Sequence, residues 1–265
     1  MVGKWSKRLY LSLAYIFLYA PIVLLIIFSF NSGKSTSSWD GFSLKWYNSL
    51  FDNQRILKAL YYTVFVAVIS SLISTVLGTI SAIGIDKMTG WRKKAILNIN
   101  YLPVLNPDIV TAISLMTLFA FFRLTFGFKT LIIAHVVFST PYVIVSVLPK
   151  LKQMPDDLVK AAQDLGATPF YTLRKVILPQ IMPGIFAGFL ISFTMSIDDF
   201  VISFFNTGSG VTNLSIEIYS MARRGISPEI NALSTLMFVS IFILLFLANG
   251  KDLIKKERKR GKIDD

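Results

Sequence analysis

The sequence predicts an all-α membrane protein of six transmembrane helices with both termini in the cytoplasm. Three observations lead there. The chain is apolar throughout, with 54% hydrophobic residues and a mean hydropathy of +0.61, which a water-soluble domain of 265 residues does not sustain. Six apolar runs approach the ~20 residues needed to cross a hydrocarbon core. The basic residues are sorted between alternate connections. Of 27 Lys and Arg, three precede the first run, four lie in Lys87 to Lys94, five in Lys150 to Lys175 and seven in the tail. The positive-inside rule places those segments in the cytoplasm, so the net charge of +12 reads as a topology signal.

The elements follow in order. Span one, Leu9 to Phe30, comes after Lys4, Lys7 and Arg8. It is too long for a signal-peptide core and no small-x-small site follows, so it is expected to stay as an anchor. The outer segment Asn31 to Arg55 carries Trp39, Phe42, Trp46 and Tyr47, aromatics that either mark the membrane interface or floor a binding chamber. Gly33-Lys34-Ser35-Thr36 looks like the end of a phosphate-binding loop. However, the first glycine of that motif falls on Phe28, and a span rather than a strand precedes it. Span two, Tyr61 to Ile85, places Ser71, Ser74, Gly78 and Ser81 on one small-residue face, as close helix packing in lipid requires.

Span three, Ile96 to Phe122, is interrupted by Asn98, Asn100, Asn106 and Asp108. Span four, Thr130 to Leu148, holds His135, the single histidine of the chain, expected to be packed or hydrogen-bonded rather than a proton relay. Span five, Ile181 to Phe205, repeats the small-residue patch at Gly184 and Gly188. Span six is Ala232 to Ala248. The basic tail, Lys251 to Lys262, suits anionic lipid and no nucleic-acid partner is expected. There is no cysteine, hence no disulfide framework or thiolate metal site. No catalytic constellation appears, so neither an enzyme nor a bound metal is expected.

Between spans four and five lies a polar island, residues 150–180. Pro155 suits the first turn of a helix running Met154 to Gly166, with Asp156 and Asp157 at the positive end of its dipole. Leu158, Ala161, Ala162 and Leu165 recur at i, i+3, i+4 and i+7 as one apolar face, and Gly166 is the natural stop. Thr168-Pro169 restarts a helix as N-cap and first residue, which Leu178-Pro179 is expected to end. A helical hairpin of this kind fits a groove on a soluble partner or lies on the lipid surface.

Charged residues inside the spans are the remaining signal. Counting 1.5 Å per residue, Asp108 lies about 18 Å along span three, and Asp198 and Asp199 about 25 Å along span five. Each costs roughly 2.5–3.5 kcal/mol to insert, so they are expected to face a cavity or a partner subunit. Ser192, Ser196, Asp199, Ser203 and Asn206 follow at helical spacing, which puts Asp199 on a polar and wetter stripe with Asp198 flanking it. An anionic lining suits a cationic substrate, unless the carboxylates only tie helices together.

Lys160-Ala161-Ala162, Gly166 three residues on, and Val176-x-Leu178-Pro179 after nine more resemble the loop by which ABC-importer permeases grip their ATPase. That pattern is Glu-Ala-Ala, three residues, Gly, nine residues, Ile-x-Leu-Pro. Lys160 replaces its glutamate and Val176 its isoleucine. Asn106 to Val110, Ser196 to Asp199, Phe42 to Tyr47 and Ser227 to Leu233 look like the permeases of spermidine/putrescine ABC importers.

The resemblance implies a single permease domain over residues 1–265 with the type I ABC importer permease fold, in the bacterial inner membrane. Trp46, Asp108, Asp198 and Asp199 would line the polyamine path, and Ser196 of the polar stripe is expected beside them. Leu158, Lys160, Ala161, Ala162, Leu165, Gly166, Val176, Leu178 and Pro179 would couple to the ATPase. It implies as partners a second homologous permease, two ATPase subunits that hold ATP and Mg, and a periplasmic substrate-binding protein, with no cofactor on this chain. Other small solutes, or ATP-independent secondary transport with carboxylates as proton sites, are the alternatives.

Overall fold

The computed structural model describes residues 4–34, 38–224, 228–240 and 242–243. Among them the chain is helical, with no β-sheet and one isolated bridge, Asn31 to Phe42. In chain order the helices are α1 (Lys4–Ser29), α2 (Lys45–Asp52), α3 (Gln54–Lys87), α4 (Gly90–Leu105), α5 (Asp108–Phe121), α6 (Phe128–Gln153), α7 (Asp156–Asp164) and α8 (Pro169–Thr172). A π-turn at Leu173–Ile177 leads into α9 (Leu178–Asp198), followed by α10 (Val201–Asn206) and α11 (Leu214–Arg224). Residues 228–240 are also helical. Four of the described helices are long and apolar enough to cross a membrane, five if the bent pair α4 and α5 counts as one span. The expected sixth span is described only in part, and the basic tail lies outside the described residues.

The chain divides into two compact units. One is Lys58–Glu217 and the other combines the described parts of Met1–Leu57 and Ile218–Asp265. Helix α6 is the centre of the first. The small-residue faces expected from the sequence lie against it. A Cβ on Gly78 of α3 would meet Val143 Cβ at 2.6 Å, and one on Gly188 of α9 would meet Val143 Cγ1 at 3.1 Å. Glycine at these positions lets both helices approach α6 more closely than any side chain permits. One apolar cluster joins Ala82 and Ile85 of α3 to Val143, Val147 and Leu151 of α6 and to Ile177 and Ile181. A second joins Ala112, Leu115 and Phe119 of α5 to Ala134 and Phe138 of α6 and Ile202 of α10.

Two expected spans are broken. Between α4 and α5 the chain turns by 107°. Asn106 is extended at ψ 147° and Pro107 at ψ 139°, because a residue before proline avoids the helical region and proline brings no N–H to continue the helix. Asp108 therefore opens a new helix instead of lying along a continuous one, and its depth is not given by a straight count. Span five is broken at Asp199, which is extended at ψ 124°, so the polar stripe crosses a discontinuity.

Leu178-Pro179 does not end a helix. The chain passes from the π-turn directly into α9, and Leu178 N–H bonds Leu173 O. Proline clashes with the carbonyl one turn earlier, and the extra residue of a π-turn is a known way for a helix to absorb such a misfit.

In the other unit, the connection after α1 is packed by its own side chains. Trp46 Nε1 donates to Asn31 O at 2.7 Å, Ser29 Oγ and Tyr47 OH are 2.7 Å apart, and Phe30 stacks on Phe42 at 5.5 Å. Gly33 has a structural reason: a Cβ there would collide with the Asp40 side chain. Ser49 and Asn53 donate to the carboxylate of Glu229.

Candidate functional site

The break at Asp199 organises the intramembrane polar residues. Its carboxylate accepts Ile202 N–H at 3.0 Å, Ser203 N–H at 2.7 Å and Ser203 Oγ–H at 2.7 Å, capping the first turn of α10. Asn213 Nδ2 donates to its carbonyl at 2.9 Å. His135 on α6 is buried. Its Nδ1 lies 2.6 Å from Ser196 Oγ, its Nε2 3.0 Å from Ser203 Oγ and 3.5 Å from Asp199 Oδ2. Ser70 of α3 reaches Ser196 Oγ at 3.2 Å. Histidine is thus hydrogen-bonded, as expected from the sequence.

The stripe of Ser192, Ser196, Ser203 and Asn206 is the dry face: all four are buried, and the Asp199 side chain is 8% exposed. Asp198, expected to flank it, is the exposed one. Of the two neighbouring carboxylates, the chain itself covers Asp199 and leaves Asp198 exposed. A polar periodicity identifies a face but not what covers it: here α6 and α3 supply partners for Ser196 and α6 one for Ser203, while Ser192 Oγ is buried without one.

Asp108 is exposed at the start of α5, where its charge complements the helix dipole. No Lys or Arg among the described residues pairs with Asp108 or Asp198. Helix α10 packs on α5, and Asn206 Nδ2 donates to Ala112 O at 3.1 Å. One unit therefore collects Asp108, Ser196, Asp198 and Asp199. Trp46 belongs to the other unit, buried, with Lys45 Nζ 4.5 Å from its ring. Its π-face already holds a cation of the chain itself.

The polar island forms the expected hairpin with small shifts. Helix α7 starts at Asp156, one residue after Pro155, which is its N-cap. Its C-terminus is a complete Schellman motif: Gly166 N–H bonds Gln163 O at 2.8 Å, Ala167 N–H bonds Ala162 O at 3.0 Å, and Gly166 has φ +81°. Thr168 Oγ1 caps α8 through Tyr171 N–H at 3.3 Å, with Pro169 next. Val159, Leu173 and Leu178 pack on the adjacent core, whereas Leu158 and Ala161 are exposed and Leu165 is 89% exposed. A groove of about 590 Å³ runs between Ala162, Leu165, Gly166, Thr168, Tyr171 and Val176. Pro179 is exposed, and Lys160 reaches Asp157 at 3.8 Å on the solvent side.

Residues 74–250 match the family described as the binding-protein-dependent transport system inner membrane component. The chain belongs to that family. Among its relatives, the spermidine/putrescine transport system permease protein PotC of Escherichia coli (strain K12) is 37% identical over 265 residues, covering 100% of this chain and 99% of the relative. The putrescine transport system permease protein PotI of the same strain is 36% identical over 245 residues, covering 90% of this chain and 87% of the relative. A bacterial ABC transporter involved in alginate import superposes with a TM-score of 0.71 at 12% identity, covering 97% of this chain and 98% of that one. The chain from an inward-facing MetNI methionine ABC transporter gives 0.59 at 19% identity, covering 76% and 94%. The fold is that of ABC importer permeases, and this member of the family is an inner-membrane transport subunit, not an enzyme.

Proposed function

We propose that this permease carries polyamines, spermidine or putrescine, through an ATP-driven importer. The observation that carries the substrate class is the pair of exposed carboxylates, Asp108 and Asp198, with no basic side chain of the described residues paired to either. Ammonium groups spaced along a flexible chain complement such a pair through charge-assisted hydrogen bonds. The relatives PotC and PotI carry the same substrate class in their names.

The importer holds this chain and a second homologous permease in the inner membrane, with two ATPase subunits below and a periplasmic binding protein above. Six spans put both termini and the 150–180 hairpin in the cytoplasm. ATP and Mg bind on the ATPases. Closure of those subunits pulls on Leu158, Lys160, Ala161, Ala162, Leu165, Gly166 and Val176. The π-turn passes the movement to Leu178 and Pro179, the first residues of α9, which ends at Asp198. Residues 1–265 act as one permease domain in this scheme. Trp46 holds the connection after α1 through its bond to Asn31 O.

The test is uptake of labelled spermidine into proteoliposomes that contain the assembled complex, with ATP on the ATPase side and binding protein on the other. ATP-dependent accumulation competed by putrescine is expected. ATP hydrolysis coupled to the binding protein without uptake of either polyamine would refute the substrate assignment.

A further inference from the structure

Among the buried polar groups, His135 has contacts on both sides of the break in span five, and its geometry sets a limit on the shape of the chain there. Its ring bonds Ser196 on α9 and Ser203 on α10, seven residues apart. In a straight helix that separation is about 10.5 Å. An imidazole with hydrogen bonds of 2.6 and 3.0 Å at its two nitrogens spans less than about 8 Å. The bridge is shorter than that backbone separation, and the break at Asp199 brings the two serine hydroxyls within reach of one ring.

The direction of the hydrogen bonds follows from the one group that cannot donate. The Asp199 carboxylate accepts the Ser203 hydroxyl proton, so Ser203 Oγ accepts from His135 Nε2–H. Nδ1 of the neutral ring is then the acceptor, and Ser196 Oγ–H donates to it. Ser196 in turn accepts from Ser70 Oγ–H. The result is a chain of bonds all polarised toward Asp199 that ties α3, α9, α6 and α10 together. Ser196 is buried and the Asp199 side chain is 8% exposed, both engaged by this chain of bonds, while Asp198, one residue from Asp199, remains exposed.

We propose that His135 is a positioning residue of the solute path: it clamps the α9–α10 break, which keeps Asp198 exposed and keeps Asp199 and Ser196 out of the path. The role in transport rests on the permease reading above. The clamp itself is testable without any substrate, because the chain has no cysteine and introduced thiols report accessibility without background from this chain. Asp198→Cys marks the wet side of the break. Ile202→Cys marks the dry side, since Ile202 is 1% exposed on α10.

In the assembled complex, a charged methanethiosulfonate reagent is expected to label Asp198→Cys at least about tenfold faster than Ile202→Cys, because thiol reaction follows access. Adding His135→Leu should collapse that contrast to within about threefold. Adding His135→Gln should preserve it, because the amide offers an acceptor to Ser196 and a donor to Ser203. Persistence of the contrast with His135→Leu would mean that packing alone sets the break, and collapse with His135→Gln would mean that the two hydrogen bonds do not; either overturns the proposal. If His135→Leu does not assemble, Ser203→Ala, which removes one end of the bridge, is read in the same way. In uptake, His135→Leu should raise KM for the polyamine by a larger factor than it lowers the maximal rate, with His135→Gln restoring it. Equal loss in both parameters would refute the positioning role. A wild-type complex that carries no polyamine would refute the substrate reading while the labelling contrast still judges the clamp.

Discussion

Gly166 offers a quantitative test of the docking hairpin. Its φ of +81° completes the Schellman motif at the end of α7, and an ideal Cβ built there has no heavy atom within 4 Å. Substitution therefore meets no steric obstacle in the permease, and the entire cost is the backbone conformation. For an L-residue in the left-handed region that cost is about 1–2 kcal/mol, or roughly 5- to 30-fold in an equilibrium constant. If the ATPase binds the hairpin in this conformation, Gly166→Ala should weaken ATPase association by that factor. Gly166→Asn should weaken it less, because asparagine tolerates the left-handed cap, and β-branched Gly166→Val should weaken it most. The assay is titration of the purified ATPase against the reconstituted permease pair, with thermal unfolding of the pair as control. Unfolding should barely change, because the exposed tip of the variant relaxes to another conformation when free and the cost is met only on docking. Association of Gly166→Ala within about twofold of wild type would refute the requirement for a positive φ, and with it the argument that the cap is a docking feature.

Three further outcomes are expected. Gly78→Leu, whose Cβ would sit 2.6 Å from Val143 Cβ, should destabilise the permease by about 1–3 kcal/mol, whereas Gly84→Leu on the same helix, with nothing within 4 Å, should leave its melting temperature unchanged; equal losses would refute the packing role of the glycine face. Asp199→Ala should cost about 0.5–2 kcal/mol of stability through the lost cap, while Asp198→Ala should cut polyamine uptake with no change in melting; the reverse pattern would restore the wet-stripe assignment. Trp46→Phe removes the indole donor to Asn31 O and should destabilise the connection after α1 by about 1–3 kcal/mol, seen as faster hydrogen exchange over residues 38–53; unchanged exchange would refute its anchoring role.

The parts of this molecule that were legible in the sequence are those governed by neighbours along the chain. The ends of α7 and the start of α8 followed from Gly166, Thr168 and Pro169, because a cap is made within one helical turn. The glycine faces of α3 and α9 followed from spacings of three and four. Pro107 carried a local signal for the break in span three, yet the apolar run on either side concealed it. Pro179 carried the opposite false signal, since a π-turn absorbed it. The candidate site was legible as a set of residue types but not as an arrangement. The partners of His135 lie 61 and 68 residues away along the chain, and no periodicity links them.

By itself, then, the sequence determined that the chain lives in a membrane, how its cytoplasmic hairpin is capped, and which carboxylates must be accommodated among apolar helices. Only the tertiary structure decided that Asp199 is consumed by a helix cap and a histidine bridge while Asp198 stays exposed, and that Trp46 is buried under Lys45. The division has one physical cause. Hydrophobicity, helix period and caps act over a few residues, whereas the wetness of a carboxylate depends on which distant helices pack against it.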